Sequence, residues 1–427
     1  MRYAVVTFGC RVNQGDSIRL EEQLIDAGGI QCAPEAADVV LVNTCSVTAS
    51  ADRSARQVVR RLAKSNPAVR ILMTGCYATR CPDEVAELPQ VFRVVGNNLK
   101  EQIPELLASS MTGLSTADRF GNGSGACGAA IESSMLSRTF YTLGVQTGCN
   151  ETCSYCIIPS TRGSGRSVLP AFVESRVTRA AELGYKEVAL TGVHLGSYGR
   201  DLNPASSLFE LLRLLSAHRA QIRFRISSLE PADCTPDIVD LVSGSSRFAS
   251  HFHLPLQHAS DKVLRSMCRP YRLSGYRFIV ELIRRRLPNA AIGSDVIVGF
   301  PGETDKDFQI MSSYLKKSPI TYLHVFPYSD RPGTPSTTIG DKVSSAVIRD
   351  RARTIREIGV GLTRRFRHSQ IGKILDGITL KGGRQVITDN YLKVSVEPGQ
   401  PGNAWVAVKI TEAGDTLRGK IVNKVIN

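Results

Sequence analysis

Three cysteines lie within eight residues of the chain, as Cys149, Cys153 and Cys156 in the segment TGCNETCSYC. A disulfide framework uses an even number of thiols, and a closed structural zinc site uses four ligands. Three local thiolates instead describe a metal centre with one coordination position left open. The alternative is that these are incidental thiols that pack as small hydrophobic groups. The tight spacing favours a metal centre that does chemistry.

A second set of three cysteines is spread along the first part of the chain. Cys10, Cys45 and Cys76 each follow a short apolar run, in the segments TFGC, VNTC and MTGC. In an open parallel sheet the carboxyl ends of the strands form one ligand-binding edge, so these thiols could converge there. Coincidental small residues at strand ends are the alternative. The sequence therefore predicts a second three-thiol site.

The composition limits the class of protein that could carry these sites. The chain has 427 residues and a net charge of +14, from 53 Lys and Arg against 39 Asp and Glu, which favours an anionic partner such as nucleic acid. No apolar run is long enough for a membrane helix, and the first residues lack the pattern of a signal peptide. We therefore expect a cytoplasmic protein without membrane contact. In that reducing compartment, eleven cysteines indicate metal binding or catalysis rather than disulfides.

The positive charge is concentrated in two stretches with helical patterns. Six basic residues and no acidic residue lie between Arg53 and Arg70, and seven arginines lie between Val347 and His368 against two acidic residues. A charge run is usually a solvated helix face. Two such runs on a basic chain make contact with RNA or DNA an equally good interpretation.

Three structured parts and one linker follow from the patterns along the chain. Residues 1–118 alternate apolar runs with helical stretches, which predicts an open parallel α/β sheet. Residues 119–134, rich in Gly, Ser and Ala, are typical of a linker. Residues 135–366 contain six strand patterns in βα order and a following helix, which predicts a partial (β/α)6 TIM-like barrel with its active site at the carboxyl ends of the strands. The cluster of three cysteines follows the first of these strands.

Residues 367–427 change to alternating patterns without a helical period, which predicts a small antiparallel β-barrel of a kind that often binds RNA. Trp405 is the only tryptophan of the chain and lies in the segment AWVAVKIT. Its ring could stack on a base, or it could cover the end of the barrel, and the pattern does not separate these two roles.

These motifs resemble the radical S-adenosylmethionine methylthiotransferases. The spacing of Cys149, Cys153 and Cys156, with an aromatic residue before the last cysteine, is similar to the radical S-adenosylmethionine signature. The segments GCRVNQ, NTCSVTASADRSARQ and TGCYA, the radical core and the C-terminal barrel with TDNYLKV extend the resemblance over nearly the full chain. NTCSVTASADRSARQ, LTGVHLGSYGRDL, ISSLEP and LHVFPYSDRPGTP most resemble the MtaB-type branch, which acts on threonylcarbamoyladenosine beside the tRNA anticodon.

The resemblance implies two 4Fe–4S clusters and S-adenosylmethionine as cofactors. It places one cluster on Cys149, Cys153 and Cys156, where the cofactor completes the open iron, and an auxiliary cluster on Cys10, Cys45 and Cys76. One S-adenosylmethionine would methylate sulfur at the auxiliary cluster, and a second would generate the radical that activates C2 of the adenine. The residues implied in cofactor binding lie near predicted strand ends or in the cysteine loop, and they are Tyr155, Thr191, Gly192, Ser228, Glu230, Gln257, Asp295 and Gly299.

Several of these residues have simpler interpretations. The glycines could serve turns, Glu230 could be a turn acid before Pro231, and Arg162 could be a surface arginine instead of a cofactor or substrate contact. HASD after HLPLQ, and Ser160-Thr161 before Arg162, depart from the pattern of the family and leave details of substrate fit open. We expect Cys32, Cys81 and Cys234 to be structural thiols.

The implied partners are tRNA and a reducing protein such as flavodoxin or ferredoxin, and we expect the chain to act as a monomer. One alternative within the family is the MiaB-type branch, which acts on isopentenyladenosine. Alternatives from other classes are a non-catalytic iron–sulfur protein that binds tRNA or senses redox state, and a zinc-bearing RNA-binding protein. Two separate three-thiol sets fit clusters with open irons better than they fit closed zinc sites.

Overall fold

The computed structural model describes residues 1–109 and 140–422, and it divides into two compact units. The described part of the first unit comprises residues 1–109, 147–150 and 157–164. That of the second comprises residues 140–146, 151–156 and 165–422. The predicted linker 119–134, including Cys127, lies outside the described residues. Cys149 belongs to the first unit, whereas Cys153 and Cys156 belong to the second.

A five-stranded parallel sheet forms the centre of the first unit, in the order β2-β1-β3-β4-β5. The central strand β3 is buried along its whole length, which explains the apolar run VVLV that makes up most of it. The predicted parallel sheet is therefore confirmed. Its elements are β1 Arg2–Thr7, α1 Arg11–Asp26, β2 Ile30–Gln31, β3 Val39–Thr44, α2 Ala49–Ser65, β4 Arg70–Gly75, α3 Cys76–Arg80, α4 Pro82–Ala86, β5 Val91–Val95 and α5 Ile103–Ser109, with 3-10 turns Pro34–Ala36 and Asn97–Gln102.

The second unit contains the six predicted parallel strands of the core, arranged as β6-β9-β10 and β11-β12-β13. A parallel bridge between Ser228 and His253 connects the two halves, which gives a partial barrel as predicted. Residues 140–327 include strands β6 Phe140–Gly144, β7 Gln146–Thr147, β8 Arg166–Ser167, β9 Glu187–Thr191, β10 Arg223–Ile226, β11 His251–His253, β12 Ala291–Val298 and β13 Tyr322–Pro327.

Helices separate these strands, so that each strand returns to the sheet in the same direction. They are α6 Ile158–Arg162, α7 Pro170–Glu182, α8 Leu208–Ser216, α9 Pro236–Ser243, α10 Asp261–Ser266, α11 Leu273–Arg286, α12 Asp305–Lys317 and α13 Ser345–His368, with 3-10 turns Leu195–Ser197, Pro231–Asp233 and Pro335–Thr338. Thr304 and Asp307 form a capping box that fixes the start of α12. The arginine-rich stretch after Val347 lies in α13, as predicted.

A closed five-stranded barrel follows α13, in the order β14-β15-β16-β18-β17. Its strands are β14 Ile374–Thr379, β15 Gln385–Thr388, β16 Lys393–Ser395, β17 Trp405–Ala413 and β18 Leu417–Val422. The predicted barrel is confirmed, with one difference in strand direction. β16 and β18 run parallel, because β18 reverses from β17 and closes the barrel beside β16. The short strand β15 was not among the strand patterns predicted.

A buried ion-pair network attaches this barrel to the core within the second unit. Glu187 of β9 accepts hydrogen bonds from Arg223 and Arg225 of β10, at 2.7 Å and 2.6 Å. Arg225 also donates to the backbone oxygen of Asp389 at 3.1 Å and lies over the ring of Tyr391. Because Arg225 and Glu187 are fully buried, removal of either side chain alone would leave an uncompensated charge in the interior.

Trp405 is partly covered by the same network. The guanidinium of Arg223 lies 5.3 Å from the centre of the Trp405 ring, while 42% of the residue stays exposed. Both predicted roles of this side chain are compatible with that position. Among the helices within residues 1–109 and 140–422, none is long and apolar enough to cross a bilayer.

Candidate active site

The three N-terminal cysteines lie at the carboxyl edge of the first sheet. Cys45 and Cys76 directly follow β3 and β4, and Cys10 lies shortly after the end of β1; the three strands are neighbours in that sheet. Gly9 has a φ of 89°, and a Cβ there would lie 2.4 Å from the Cβ of Cys45. The glycine therefore lets the backbone before Cys10 approach Cys45 closely.

Burial and mutual charge determine the state of these thiols. Cys45 and Cys76 are buried, whereas Cys10 is exposed. Burial, together with the nearby Cys10 and Cys76, raises the pKa of Cys45 to about 11. Such a thiol becomes a thiolate at neutral pH only when a positive centre takes up its charge. The set suits a metal centre better than it suits a free nucleophile.

Buried cations lie beside the same thiols. Arg162 and Lys100 both contact the carboxylate of Asp16, at 3.0 Å and 2.8 Å, and Arg162 also donates to Asn13. Burial alone would lower the pKa of Arg162, but the charges of Asp16, Cys76 and Cys10 raise it above its ordinary value. The three charged side chains carry one net positive charge.

This charge allows a test of whether an iron–sulfur cluster fits the N-terminal set. A 4Fe–4S core held by three thiolates is anionic overall, and hydrogen bonds to its sulfur atoms tune its reduction potential. Arg162 and Lys100 supply the compensating charge, and the amide nitrogen of Asn97 lies 3.7 Å from the sulfur of Cys76. The residues present therefore fit such a group.

Arg162 corrects one expectation from the sequence. The surface-arginine interpretation is wrong, because the residue is only 6% exposed and its guanidinium lies in this charge network. Sequence reasoning missed Lys100, Asp16 and Asn97 altogether. The segment GCRVNQGD contains a signal for the acidic partner, since Asp16 lies on the first turns of α1, after Cys10.

The second cysteine set lies on one short loop. The amide of Cys149 donates to the oxygen of Gly163 at 3.0 Å within the first unit. In the second unit the amide of Cys156 donates to the oxygen of Cys153 at 3.1 Å, which forms a tight turn. Gly148 has a φ of 72°, and a Cβ there would lie 1.9 Å from the oxygen of Ser164. Only glycine fits at the start of this loop.

Arg269 is the polar group beside Cys153 and was not identified from the sequence. Its Nη1 lies 3.2 Å from the sulfur of Cys153 and 3.4 Å from the hydroxyl of Tyr155, and it forms an ion pair with Glu230. Glu230 is therefore more than a turn acid. Burial raises the pKa of Glu230, while Arg269 partly opposes this shift. The cation next to Cys153 suits a thiolate ligand of a cluster.

Tyr155 packs inside the second unit beneath this arginine. Its ring meets Phe300 edge to face, with centroids 6.4 Å apart. Burial raises the pKa of the hydroxyl well above its ordinary value, so the hydroxyl that accepts from Arg269 is neutral. Ser154, between Cys153 and Tyr155, is anchored as well, because its backbone amide donates to the backbone oxygen of Met267 at 3.1 Å. The loop is thus fixed in position by the core.

The remaining predicted cofactor residues lie at or just beyond strand ends of the second unit, except Asp295, which lies within β12. Thr191 ends β9, and the next residue, Gly192, is packed against Gln146, where a Cβ would lie 3.0 Å from Oε1. Ser228 is exposed beyond β10. Gln257 has a φ of 59°, and its backbone amide donates to the backbone oxygen of Asp295 at 2.8 Å. These positions surround the mouth of the partial barrel.

Gly299 has a clear structural role at this mouth. Its φ is 78°, and its amide donates to the carboxylate of Glu303 at 2.6 Å. A Cβ would lie 2.3 Å from the side chain of Ile348. The conformation and the close packing both require glycine here. Its predicted contact with cofactor stays a prediction, as do those of the other strand-end residues.

Two family models match the chain. The description "Uncharacterized protein family UPF0004" matches residues 2–96, and "Radical SAM superfamily" matches residues 143–315. These segments contain the first and second cysteine sets, respectively. The comparison with solved structures agrees at the level of fold. The chain resembles the radical S-adenosylmethionine methyltransferase TsrM from Kitasatospora setae, with a TM-score of 0.56 and 15% identity over 76% of this chain and 72% of that one.

Curated relatives extend over nearly the whole chain. Threonylcarbamoyladenosine tRNA methylthiotransferase MtaB from Aquifex aeolicus is 34% identical, over 93% of this chain and 97% of its own length. The corresponding protein from Bacillus subtilis is 32% identical, over 96% and 93%. A tRNA-2-methylthio-N(6)-dimethylallyladenosine synthase from Arthrobacter sp. is 32% identical, over 90% and 74%. The chain therefore belongs to the radical S-adenosylmethionine methylthiotransferase family of enzymes.

Proposed function

We propose that this enzyme inserts a methylthio group at C2 of N6-threonylcarbamoyladenosine next to the anticodon of tRNA. The observation that supports the reaction is the presence of two three-thiol sets, each beside a largely buried arginine. The substrate branch is supported by the similarity to the MtaB proteins of Aquifex aeolicus and Bacillus subtilis over almost their full lengths.

The two sets have different roles in this proposal. Cys149, Cys153 and Cys156 hold the 4Fe–4S cluster that binds S-adenosylmethionine, and Cys10, Cys45 and Cys76 hold the auxiliary cluster. When bound, the first cluster supplies an electron for cleavage of the cofactor, and the second presents sulfur to the substrate. Arg269 stabilises the negative charge at Cys153, and Arg162 and Lys100 do so at Cys76.

The target base must leave the stacked loop to reach the mouth of the partial barrel. Thr191, Gly192, Ser228, Glu230, Gln257, Asp295 and Gly299 are the proposed cofactor contacts around that mouth. The basic helices and the C-terminal barrel hold the surrounding tRNA. The enzyme acts in the cytoplasm as a monomer and receives electrons from a flavodoxin or ferredoxin.

Nucleoside mass spectrometry tests the reaction and the branch together. tRNA is analysed from a host that lacks its own methylthiotransferases, with this gene, with its Cys153→Ala variant, or without either. We expect a methylthio increment on threonylcarbamoyladenosine with the unaltered gene alone. An increment on isopentenyladenosine would retain the reaction and overturn the substrate. No change in cells shown to contain cluster-loaded protein would overturn the proposal.

A further inference from the structure

A polar cluster inside the second unit contains two histidines that the reaction described above does not use, together with Asp295, one of the proposed cofactor contacts. His253 of β11, Asp295 of β12 and His324 of β13 lie on three adjacent parallel strands. Asp295 and His324 are paired in register, and His253 is paired with Gly293, two residues before Asp295. Side chains two residues apart point to the same face of a strand, so the three groups meet on one face of the sheet.

The distances within this cluster match those of a metal-ligand set. The Nε2 of His253 and the Nδ1 of His324 each lie 3.0 Å from Oδ1 of Asp295. One ligand atom from each of the three residues lies within 4.8 Å of the other two. Ligand atoms about 2.0–2.2 Å from a shared ion are about 2.8–3.1 Å apart when they subtend 90° at it, as in octahedral coordination, so the separations of Asp295 from the two histidines already have the required length.

The chemistry of the donors indicates which ions would bind. Two imidazole nitrogens and one carboxylate oxygen form the set that first-row divalent metals prefer, and it leaves positions open for water or substrate. Asp295 lies between the two histidines and presents one oxygen, Oδ1, to both of them.

A second layer of contacts orients the ligands. The hydroxyl of Tyr322 lies 3.2 Å from Nδ1 of His253, the ring nitrogen that faces away from Asp295, and 2.8 Å from Nε2 of His251. Such a partner on the other nitrogen is usual for a metal-bound histidine, because it fixes the tautomer and the ring plane. Gly293 makes room for this tyrosine, since a Cβ there would lie 2.0 Å from Cζ of Tyr322.

Exposure rises across the cluster, from a buried side to an open side. The side chain of His253 is 10% exposed, that of Asp295 23% and that of His324 57%. An ion could therefore enter past His324, whose exposed ring can adjust to close the third edge of the ligand set. Its open positions would face solvent on that side.

We propose that His253, Asp295 and His324 bind one first-row divalent metal ion, separately from both cysteine sets. In this assignment Asp295 binds a metal ion instead of the S-adenosylmethionine predicted from its segment. The metal proposal depends on neither the tRNA substrate nor the family branch proposed above, so either proposal can fail without affecting the other.

Binding of Mn²⁺ to the oxidised, cluster-loaded protein tests the site directly. The six-line EPR signal of free Mn²⁺ disappears on binding, the oxidised clusters are diamagnetic, and Mn²⁺ has little affinity for thiols. We expect one Mn²⁺ per chain and release of that ion by Zn²⁺. His324→Gln should weaken Mn²⁺ binding by at least tenfold, and Tyr322→Phe by about 10-fold because it removes the partner of His253.

His194→Gln is the matched control, because His194 also contacts a carboxylate, Asp233, at 2.7 Å but lies outside this cluster. It should bind Mn²⁺ as the unaltered protein does. Iron content and far-ultraviolet circular dichroism should stay unchanged in His324→Gln, whose altered side chain is mostly exposed. The proposal is overturned if the unaltered protein leaves the Mn²⁺ signal intact, if His324→Gln binds as tightly, or if His194→Gln loses binding equally.

Discussion

The two cysteine sets use the same number of thiols but are assembled in opposite ways. Cys10, Cys45 and Cys76 come from three strand ends far apart in sequence, and two of them are buried. Cys149, Cys153 and Cys156 come from one loop, and all are partly exposed. The first set depends on the whole sheet for its geometry, whereas the second depends mainly on a local turn and a glycine.

The charged neighbours differ in the same way. Asp16 beside the first set has two cationic partners, which hold its pKa below the ordinary value although burial opposes this. Glu230 beside the second set is paired with Arg269, but burial raises its pKa. The cations therefore outweigh burial for the carboxylate beside the first set, whereas burial outweighs the cation for the carboxylate beside the second.

The largest predicted effect distinguishes the loop set, Cys149, Cys153 and Cys156, from the strand-end set, Cys10, Cys45 and Cys76. Cys153→Ala should reduce cleavage of S-adenosylmethionine to background, because the cluster at the loop loses a ligand, while the first sheet and its cluster remain. The measurements are 5'-deoxyadenosine formation by mass spectrometry and iron content, which should fall by about half. Cys268→Ala, at an exposed cysteine, is the control. Normal cleavage by Cys153→Ala would refute the assignment.

The converse substitution is Cys45→Ala. It should leave cleavage of S-adenosylmethionine intact but stop methylthiolation, because it removes a ligand from the strand-end set alone. Both products are quantified in the same reaction by mass spectrometry. Cys81→Ala is the matched control, since Cys81 is a partly buried thiol five residues after Cys76 in sequence. Methylthiolated tRNA from Cys45→Ala would show that the auxiliary-cluster assignment is wrong.

Arg162 and Arg269 allow the reduction potentials of the two clusters to be changed one at a time. Arg162→Gln should lower the reduction potential of the strand-end cluster, and Arg269→Gln that of the loop cluster, because each removes a positive charge next to thiolates. The expected shift is on the order of 100 mV for one charge at a few ångströms in a partly buried site. An EPR-monitored redox titration measures both. Equal shifts of both clusters in either variant would contradict the separation.

A smaller effect concerns stability and its dependence on pH. Asp16→Asn should destabilise the first unit by about 3–5 kcal/mol at pH 7, because it leaves buried cations without their carboxylate. The folded-state pKa of Asp16 lies below its ordinary value of 3.8, so its contribution is present above that pH and is lost as the pH falls further.

Anaerobic thermal unfolding at pH 7, near pH 4 and in more acidic buffer measures this effect. The difference in Tm between Asp16→Asn and the unaltered protein should be large at pH 7 and should begin to narrow only in more acidic buffer. Glu35→Gln, at an exposed acid in the same unit, should change little. A constant difference down to acid unfolding would show that the charge of Asp16 is not responsible.

The smallest predicted effect is at the C-terminal barrel. If the exposed part of the Trp405 ring stacks on a base, Trp405→Ala should weaken tRNA binding by about 5–10-fold, at the lower end of the range for one stacked base. Binding is measured at fixed salt concentration. Phe278→Ala, at an exposed aromatic residue of α11, is the control. Unchanged affinity would favour the alternative that Trp405 covers the end of the barrel.

Sequence patterns predicted most of the fold because apolar periodicity and strand order carry that information. The parallel sheet, the six core strands and the final barrel follow from runs such as DVVLVN and AIGSDVIVGF. The parallel pairing of β16 and β18 was not predicted, since it arises from barrel closure rather than from a local pattern. β15 was also not among the predicted strand patterns.

The site was predicted where spacing is local and missed where contacts are long-range. The cysteines were identified from their spacing and phase, but Arg269 lies 116 residues from Cys153 in sequence, and Lys100 lies 84 residues from Asp16. In a basic chain, the sequence alone does not distinguish an arginine that is buried beside a thiolate from one that is exposed to solvent. Arg162 was considered at the sequence level because it closely follows the cysteine loop, and its burial in the structure excludes the surface interpretation.

The buried contact of Arg225 with Glu187 and the backbone of Asp389 has a consequence for substrate selection. This contact fixes the C-terminal barrel to the amino ends of the core strands. If the barrel binds tRNA as proposed, the bound segment would lie at a set distance from the carboxyl ends of those strands, so the distance between that segment and the reacting nucleotide would contribute to substrate selection.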